Sequence, residues 1–170
     1  MGTRMNTELS IEFFPPQTQE GVDKLRVVRQ KLAVLAPQFF SVTFGAGGST
    51  RERTFSVVKE IVAEGHDAAP HLSCIGSTRD NIREILNDYR SAGIKRIVAL
   101  RGDPPGAIGG VYVPREDGYL NATELTRGIR AVAPYLLPIF LVLSAASTGA
   151  LSLLAVGVQD PPAWIIHTVG

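Results

Sequence analysis

The sequence predicts an α/β protein of the (β/α)8 TIM-barrel type, with about half a barrel present. Three observations carry that expectation. Short apolar runs alternate with amphipathic segments, which implies βαβ units and a parallel sheet. Glu12, Thr43, His71 and Arg101 each fall at or near the C-terminal end of an expected strand, spaced 31, 28 and 30 residues apart. A full barrel of eight such units needs about 250 residues, whereas this chain has 170.

The elements follow in order. LSIEFF (9–14) is a short strand stopped by Pro15-Pro16, which cannot continue a ladder. From about Thr18 to Leu35, Val22, Leu25, Val28, Leu32 and Leu35 recur at helical spacing with Lys24, Arg26 and Lys31 between them, so that face is expected in the core. QFFSVTF (38–44) is a β-branched and aromatic strand closed by GAGGST. Ser49-Thr50-Arg51-Glu52 then fits a capping box that opens a helix carrying Phe55, Val58, Ile61 and Val62. AAPHLSCI (68–75) is a third strand. Ser77 or Thr78 caps a helix with Ile82, Ile85, Leu86 and Tyr89 on one face, and KRIVAL (95–100) is a fourth strand followed by RGDPPG. Residues 121–132 read as the next amphipathic helix, with Leu125 and Ile129 on its apolar side. A doubly wound sheet is the alternative architecture, but it wants a glycine-rich fingerprint after the first strand, where Pro15-Pro16 stands instead.

Composition narrows the function classes. A hydrophobic fraction of 45% with a net charge of +1 describes an ordinary globular protein with no basic surplus for nucleic acid. The lone cysteine, Cys74, excludes an internal disulfide framework and suits a reducing cytoplasm. His66, His71 and His167 do not complete a metal spacing, so no metal centre is expected. The N-terminus has no apolar stretch of signal-peptide length. The expected location is cytoplasmic.

Barrel enzymes place their chemistry at the C-terminal strand ends. Glu12 interrupts an apolar strand; buried there, an acid is driven toward its protonated form and can donate a proton to a substrate nitrogen or oxygen. The plain alternative is a carboxylate facing solvent on an edge strand. Thr43-Phe44-Gly45-Ala46-Gly47-Gly48 lets a ligand approach the backbone beside a helix N-terminus, although glycine-rich turns are common in βα units. A lone His71 in an apolar strand is more often a satisfied core residue than a ligand. Arg101-Gly102-Asp103 offers a cation, a close backbone approach and a hydrogen-bond acceptor for a heterocycle; the alternative is a surface salt bridge.

Taken in order, Ile-Glu-Phe-Phe-Pro-Pro, Ser-Val-Thr-Phe-Gly-Ala, Ala-Ala-Pro-His-Leu-Ser-Cys-Ile and Ile-Val-Ala-Leu-Arg-Gly-Asp-Pro-Pro resemble the successive strand ends of the methylenetetrahydrofolate reductases, over roughly residues 8–106. The resemblance implies an FAD-containing barrel that reduces 5,10-methylenetetrahydrofolate to 5-methyltetrahydrofolate with NAD(P)H, in one-carbon metabolism and methionine biosynthesis. It implies that Glu12 is the general acid opening the bridged folate, and that Asp103 is the catalytic aspartate near flavin and pterin. It places Thr43, Phe44, Ala46, His71, Arg101 and Gly102 along the FAD and nicotinamide site. Phe44 stands where the family often has tyrosine, and Tyr119 matches a later flavin-contacting tyrosine. A folate substrate and a homo-oligomeric family assembly complete the implied partners; the charge balance argues for no nucleic-acid partner, and a membrane role is left open by the tail alone.

The pattern breaks near residue 130. Between Arg130 and Asp160 there is no Asp, Glu, Lys or Arg, and the family's later strand motifs do not follow. The expected division is residues 1–130 as the N-terminal half of a reductase barrel and residues 131–170 as an atypical apolar tail. Three readings of the tail stand: a truncated or frameshifted product; a divergent barrel segment with PIFLVLSAAS as a fifth strand; or a membrane segment within 131–158, since about 20 apolar residues span a bilayer. An open half-barrel would leave sheet edges unpaired, so weak or absent turnover is expected, with a non-catalytic remnant as the alternative.

Overall fold

The computed structural model describes residues 9–44, 50–102, 113–143, 153–156 and 164–167. Strand and helix alternate as β1 (Leu9–Phe13), α1 (Gln19–Ala33), β2 (Phe39–Val42), α2 (Arg51–Ala63), β3 (Ala68–Ser73), α3 (Arg79–Ser91), β4 (Arg96–Leu100) and α4 (Ala122–Val132). Three further strands follow: β5 (Leu137–Leu143), β6 (Leu153–Val156) and β7 (Trp164–His167). β1 to β5 are parallel in sequence order. β6 runs antiparallel between β5 and β7, and β7 returns parallel to β1, so the sheet closes.

This closure corrects the expectation of unpaired sheet edges. Leu137–Leu143 does form a fifth strand, with Ile97 opposite Pro138 and Ala99 opposite Phe140. Leu9 and Ile11 face Ile165 and His167 across the last seam. The uncharged tail thereby supplies backbone donors and acceptors to a ladder. Among the described residues, no helix is long and apolar enough to cross a membrane.

Each helix start has a local cause. The Thr18 hydroxyl accepts from the Gly21 N–H at 3.1 Å, and Thr78 accepts from Asn81 at 3.0 Å, satisfying donors that a helix leaves free at its first turn. Asn121 accepts from the Glu124 N–H at 3.0 Å, while the Glu124 carboxylate reaches back to the Leu120 N–H at 2.6 Å. At α2 the described residues show a different arrangement at the helix start. Ser49 lies outside the described residues, and the Thr50 side chain makes no cap hydrogen bond. Its hydroxyl turns instead toward the Thr43 carbonyl and the Thr54 hydroxyl.

Strand parity sorts the interior into two layers. Ile11, Phe13, Phe40, Val42, Phe44, Leu72, Cys74, Ile97 and Ala99 pack outward against the helices, meeting Val58 and Ile61 of α2, Ile82, Ile85 and Leu86 of α3, and Leu125 and Ile129 of α4. The alternate residues Phe39, Ala69 and Val98, with Leu100, form a separate apolar cluster inside the barrel. The helix faces expected for α3 and α4 are those buried.

Helix α1 keeps part of its expected face, with Leu25 and Leu32 packed against the core. Val28 and Leu35 are exposed, whereas Arg29 is 1% exposed. The Arg29 guanidinium grips Glu64 through two bonds of 2.7 and 2.5 Å, and Arg26 grips Glu60 at 3.0 and 2.7 Å. The planar fork of arginine suits this bidentate geometry, so α1 is fastened to α2 by carboxylate clamps. The Arg26 hydrogen bond holds the Glu60 carboxyl below the usual range.

Candidate functional site

Glu12 and His71 come from β1 and β3, with β2 between them. The ladder sets Glu12 opposite Ser41, and Ser41 opposite Ala69. These two small residues leave room for the long acid and the imidazole to meet across the barrel. Glu12 Oε2 lies 3.1 Å from His71 Nε2, with both side chains more than nine-tenths buried. Although the distance suits a hydrogen bond, the alignment falls short of one: neither atom has a well-formed hydrogen bond among the described residues. Ser73 Oγ, also buried and without a partner, follows on the same face of β3.

The barrel interior is therefore graded. At the N-terminal strand ends, Phe39 is covered by the Arg96 guanidinium, 5.5 Å from the ring, and Arg96 is paired with Asp67 at 3.2 Å. Toward the C-terminal ends the lining turns polar, with Glu12, Ser41, His71 and Ser73 all buried. Polar atoms buried without partners are costly, so an interior that collects several of them at one end is arranged for a ligand or for water.

The other expected site residues divide. Thr43 follows β2 directly; its N–H donates to the Phe13 carbonyl at 3.0 Å and its own carbonyl accepts from the Thr54 hydroxyl at 2.6 Å. Arg101 follows β4 and is exposed, with its Nε 3.3 Å from the Gly102 carbonyl. The Arg101 carbonyl accepts from the Ile75 N–H at 2.9 Å, extending the β3–β4 pairing past the strand end. Gly102 has φ +84°, and a Cβ there would meet Ile75 Cγ2 at 2.5 Å and Ser73 Cβ at 2.7 Å. Its glycine is thus required by the approach of β4 to β3.

Phe44 is placed differently: its ring is buried in the sheet–helix layer and not in the barrel interior. Tyr119 also belongs to the outer layer. It packs against Gly128 of α4 beneath the Arg79 guanidinium, 5.1 Å from the ring. Ala46 and Asp103 lie outside the described residues. Ser41 and Ser73 do not stand out in the sequence; Ser73 lies two residues beyond His71 on the same face of β3, whereas Ser41 is found only through the β1–β2 register that sets it opposite Glu12.

A closed, mainly parallel α/β barrel with an acid and an imidazole gathered near the C-terminal strand ends has the architecture of a barrel enzyme. The chain belongs to the methylenetetrahydrofolate reductase family, whose sequence model matches residues 3–139. It is 52% identical over 101 residues to a 5,10-methylenetetrahydrofolate reductase of Salmonella typhimurium, covering 58% of this chain and 34% of that protein. The protein of the same name from Escherichia coli is 50% identical over 101 residues, with the same coverage. An Arabidopsis thaliana methylenetetrahydrofolate reductase (NADH) 1 is 35% identical over 128 residues, 74% of this chain and 21% of that protein. The chain spans about a third of the length of the bacterial relatives it matches. The family match ends inside β5.

The donor set fits a flavin. An imidazole nitrogen, the Ser73 hydroxyl and an exposed guanidinium offer hydrogen bonds to a ring system that carries carbonyls and ring nitrogens.

Proposed function

We propose that this chain carries the proton-donating and flavin-holding part of a reductase site, reducing 5,10-methylenetetrahydrofolate to 5-methyltetrahydrofolate with NAD(P)H as the source of hydride. The observation that carries the reading is the buried pairing of Glu12 with His71 near the C-terminal strand ends. FAD, when bound, supplies hydride transfer between the nicotinamide and the one-carbon unit. Thr43, Ala46, His71, Arg101, Gly102 and Asp103 would hold it, with Phe44 contributing its backbone and Tyr119 supporting the site from the outer layer.

The chain's own residues supply the rest. Glu12, enclosed by the barrel wall, holds a proton away from bulk water. It delivers that proton to a bridging nitrogen of the folate, opening the five-membered ring to an iminium ion that can accept hydride. Asp103 orients the pterin and tunes the ring beside it. We assign this work to residues 1–130, with residues 131–170 completing the sheet, and expect slow turnover. The same reading makes the protein a cytosolic member of one-carbon metabolism that feeds methionine synthesis. Its partners are then folate, the nicotinamide and further copies of itself, without nucleic acid or membrane.

The test is a pair of half-reactions on the FAD-loaded chain. NADH or NADPH should bleach the flavin, and methylenetetrahydrofolate should restore its colour. Glu12→Gln should retain bleaching and quinone-driven turnover while the folate step slows by about a hundredfold or more. Equal loss of both half-reactions in Glu12→Gln, or folate reoxidation unaffected by it, would contradict the assignment.

A further inference from the structure

The Glu12–His71 contact carries more than the presence of an acid. Oε2 of Glu12 and Nε2 of His71 are both sealed from solvent, and each has the other as its near polar neighbour at 3.1 Å among the described residues. Desolvating two charges costs several kcal/mol per ion, roughly, unless further hydrogen bonds compensate. Each of these buried polar atoms is therefore best satisfied by a hydrogen bond to the other. We propose that His71 is a positioning residue for the acid: a small turn of the imidazole lets Nε2–H donate to Oε2 over the 3.1 Å that separates them, leaving Oε1 as the oxygen that carries the transferable proton.

Resting on the reductase reading only for its substrate, the step balances simply. The Glu12 Oε1–H bond breaks, its proton passes to a tertiary amine nitrogen of the substrate, and the electron pair stays on the carboxylate. His71 neither gains nor loses a proton. The Nε2–H···Oε2 contact becomes charge-assisted and shortens as the carboxylate forms, so the bond is stronger after donation than before. An imidazole fixed by the β3 backbone, across the small Ser41 and Ala69, also holds the carboxyl group in one rotamer. This role differs from the flavin contact that the family resemblance implies for His71.

The experiment needs neither flavin nor turnover. Nitrogen-15 NMR of the full chain labelled in its 3 histidines reads which ring nitrogen of His71 carries the proton and how fast it exchanges with water. His71→Gln assigns the signal; should that variant fail to fold, through-bond correlation to the β3 backbone assigns it instead. The expected result is a His71 ring with its proton on Nε2. Glu12→Gln, which keeps an acceptor oxygen, should preserve that state. Glu12→Leu, which removes it, should speed exchange of the Nε2 proton by about fivefold or more, the scale of one net hydrogen bond. A proton on Nδ1 in the parent chain, or exchange unchanged in Glu12→Leu, would overturn the proposal. If Nε2 carries the proton as expected but the chain takes up no FAD, the reductase reading fails while the pair stands.

Discussion

Gly102→Ala isolates a single steric feature at the mouth of the barrel. Gly93 and Gly102 both adopt the left-handed region, at φ +73° and +84°, but a Cβ on Gly93 would meet nothing within 4 Å. Gly93→Ala should therefore cost only the backbone penalty, about 1–2 kcal/mol. At Gly102 the added methyl would also sit 2.5 Å from Ile75 Cγ2 and 2.7 Å from Ser73 Cβ. Overpacking of that kind adds about 1–3 kcal/mol, giving about 2–5 kcal/mol in all. That is a large part of the roughly 5–15 kcal/mol that holds a domain folded. Urea unfolding followed by far-ultraviolet circular dichroism measures both variants. Ile75→Ala removes the nearest clashing atom, so the double variant should recover about 1 kcal/mol or more relative to additivity. Equal destabilisation by Gly93→Ala and Gly102→Ala, or no coupling to Ile75, would refute the close approach of β4 to β3.

Three other predictions follow from packing. Arg29→Ala should destabilise by about 3 kcal/mol, the low end for breaking a buried pair, because Glu64 keeps 34% exposure and can rehydrate; a loss below about 0.5 kcal/mol, the range of ordinary surface changes, would refute the clamp. Tyr89 has a buried hydroxyl without a partner, and burial raises its pKa above the ordinary value of 10.0. The unfolded chain then loses its phenol proton first, so stability is complete below pH 10.0 and falls as pH climbs above it. Tyr89→Phe should flatten that alkaline decline and leave neutral stability unchanged or slightly higher; an unaltered decline in urea titrations would contradict the burial argument. Trp164, the chain's 1 tryptophan, lies in β7. Its fluorescence should report the same unfolding midpoint as circular dichroism, whereas a separate, earlier transition would show that the last strands are not part of the closed sheet.

What the sequence made legible follows from period. The helical spacing of Ile82, Ile85, Leu86 and Tyr89 is visible in one dimension, and so is the roughly 30-residue beat of the strand ends. The α1 face is only half legible: Leu25 and Leu32 pack against the core as their spacing implies, but Arg29 looks like a solvent residue until Glu60 and Glu64 are known to lie across from it. Likewise, Glu12 and His71 each stood out alone, but their meeting depends on β-sheet register and on the small side chains of Ser41 and Ala69. Phe44 and Tyr119 were placed by resemblance along the site, whereas strand parity and helix packing put their rings in the outer layer. The tail gave the least: an uncharged run has no polar face to betray its period, and the same residues suit a buried strand or an apolar helix.

Whether this chain assembles a flavin site is tested most directly by its visible absorption spectrum. FAD is added to the purified, detergent-free protein, and unbound flavin is removed by gel filtration. An assembled site gives a yellow protein that retains flavin in proportion to chain, with the absorption band shifted from that of free FAD and weakened by a substitution at Arg101. A soluble, folded chain that emerges colourless at saturating FAD would contradict it.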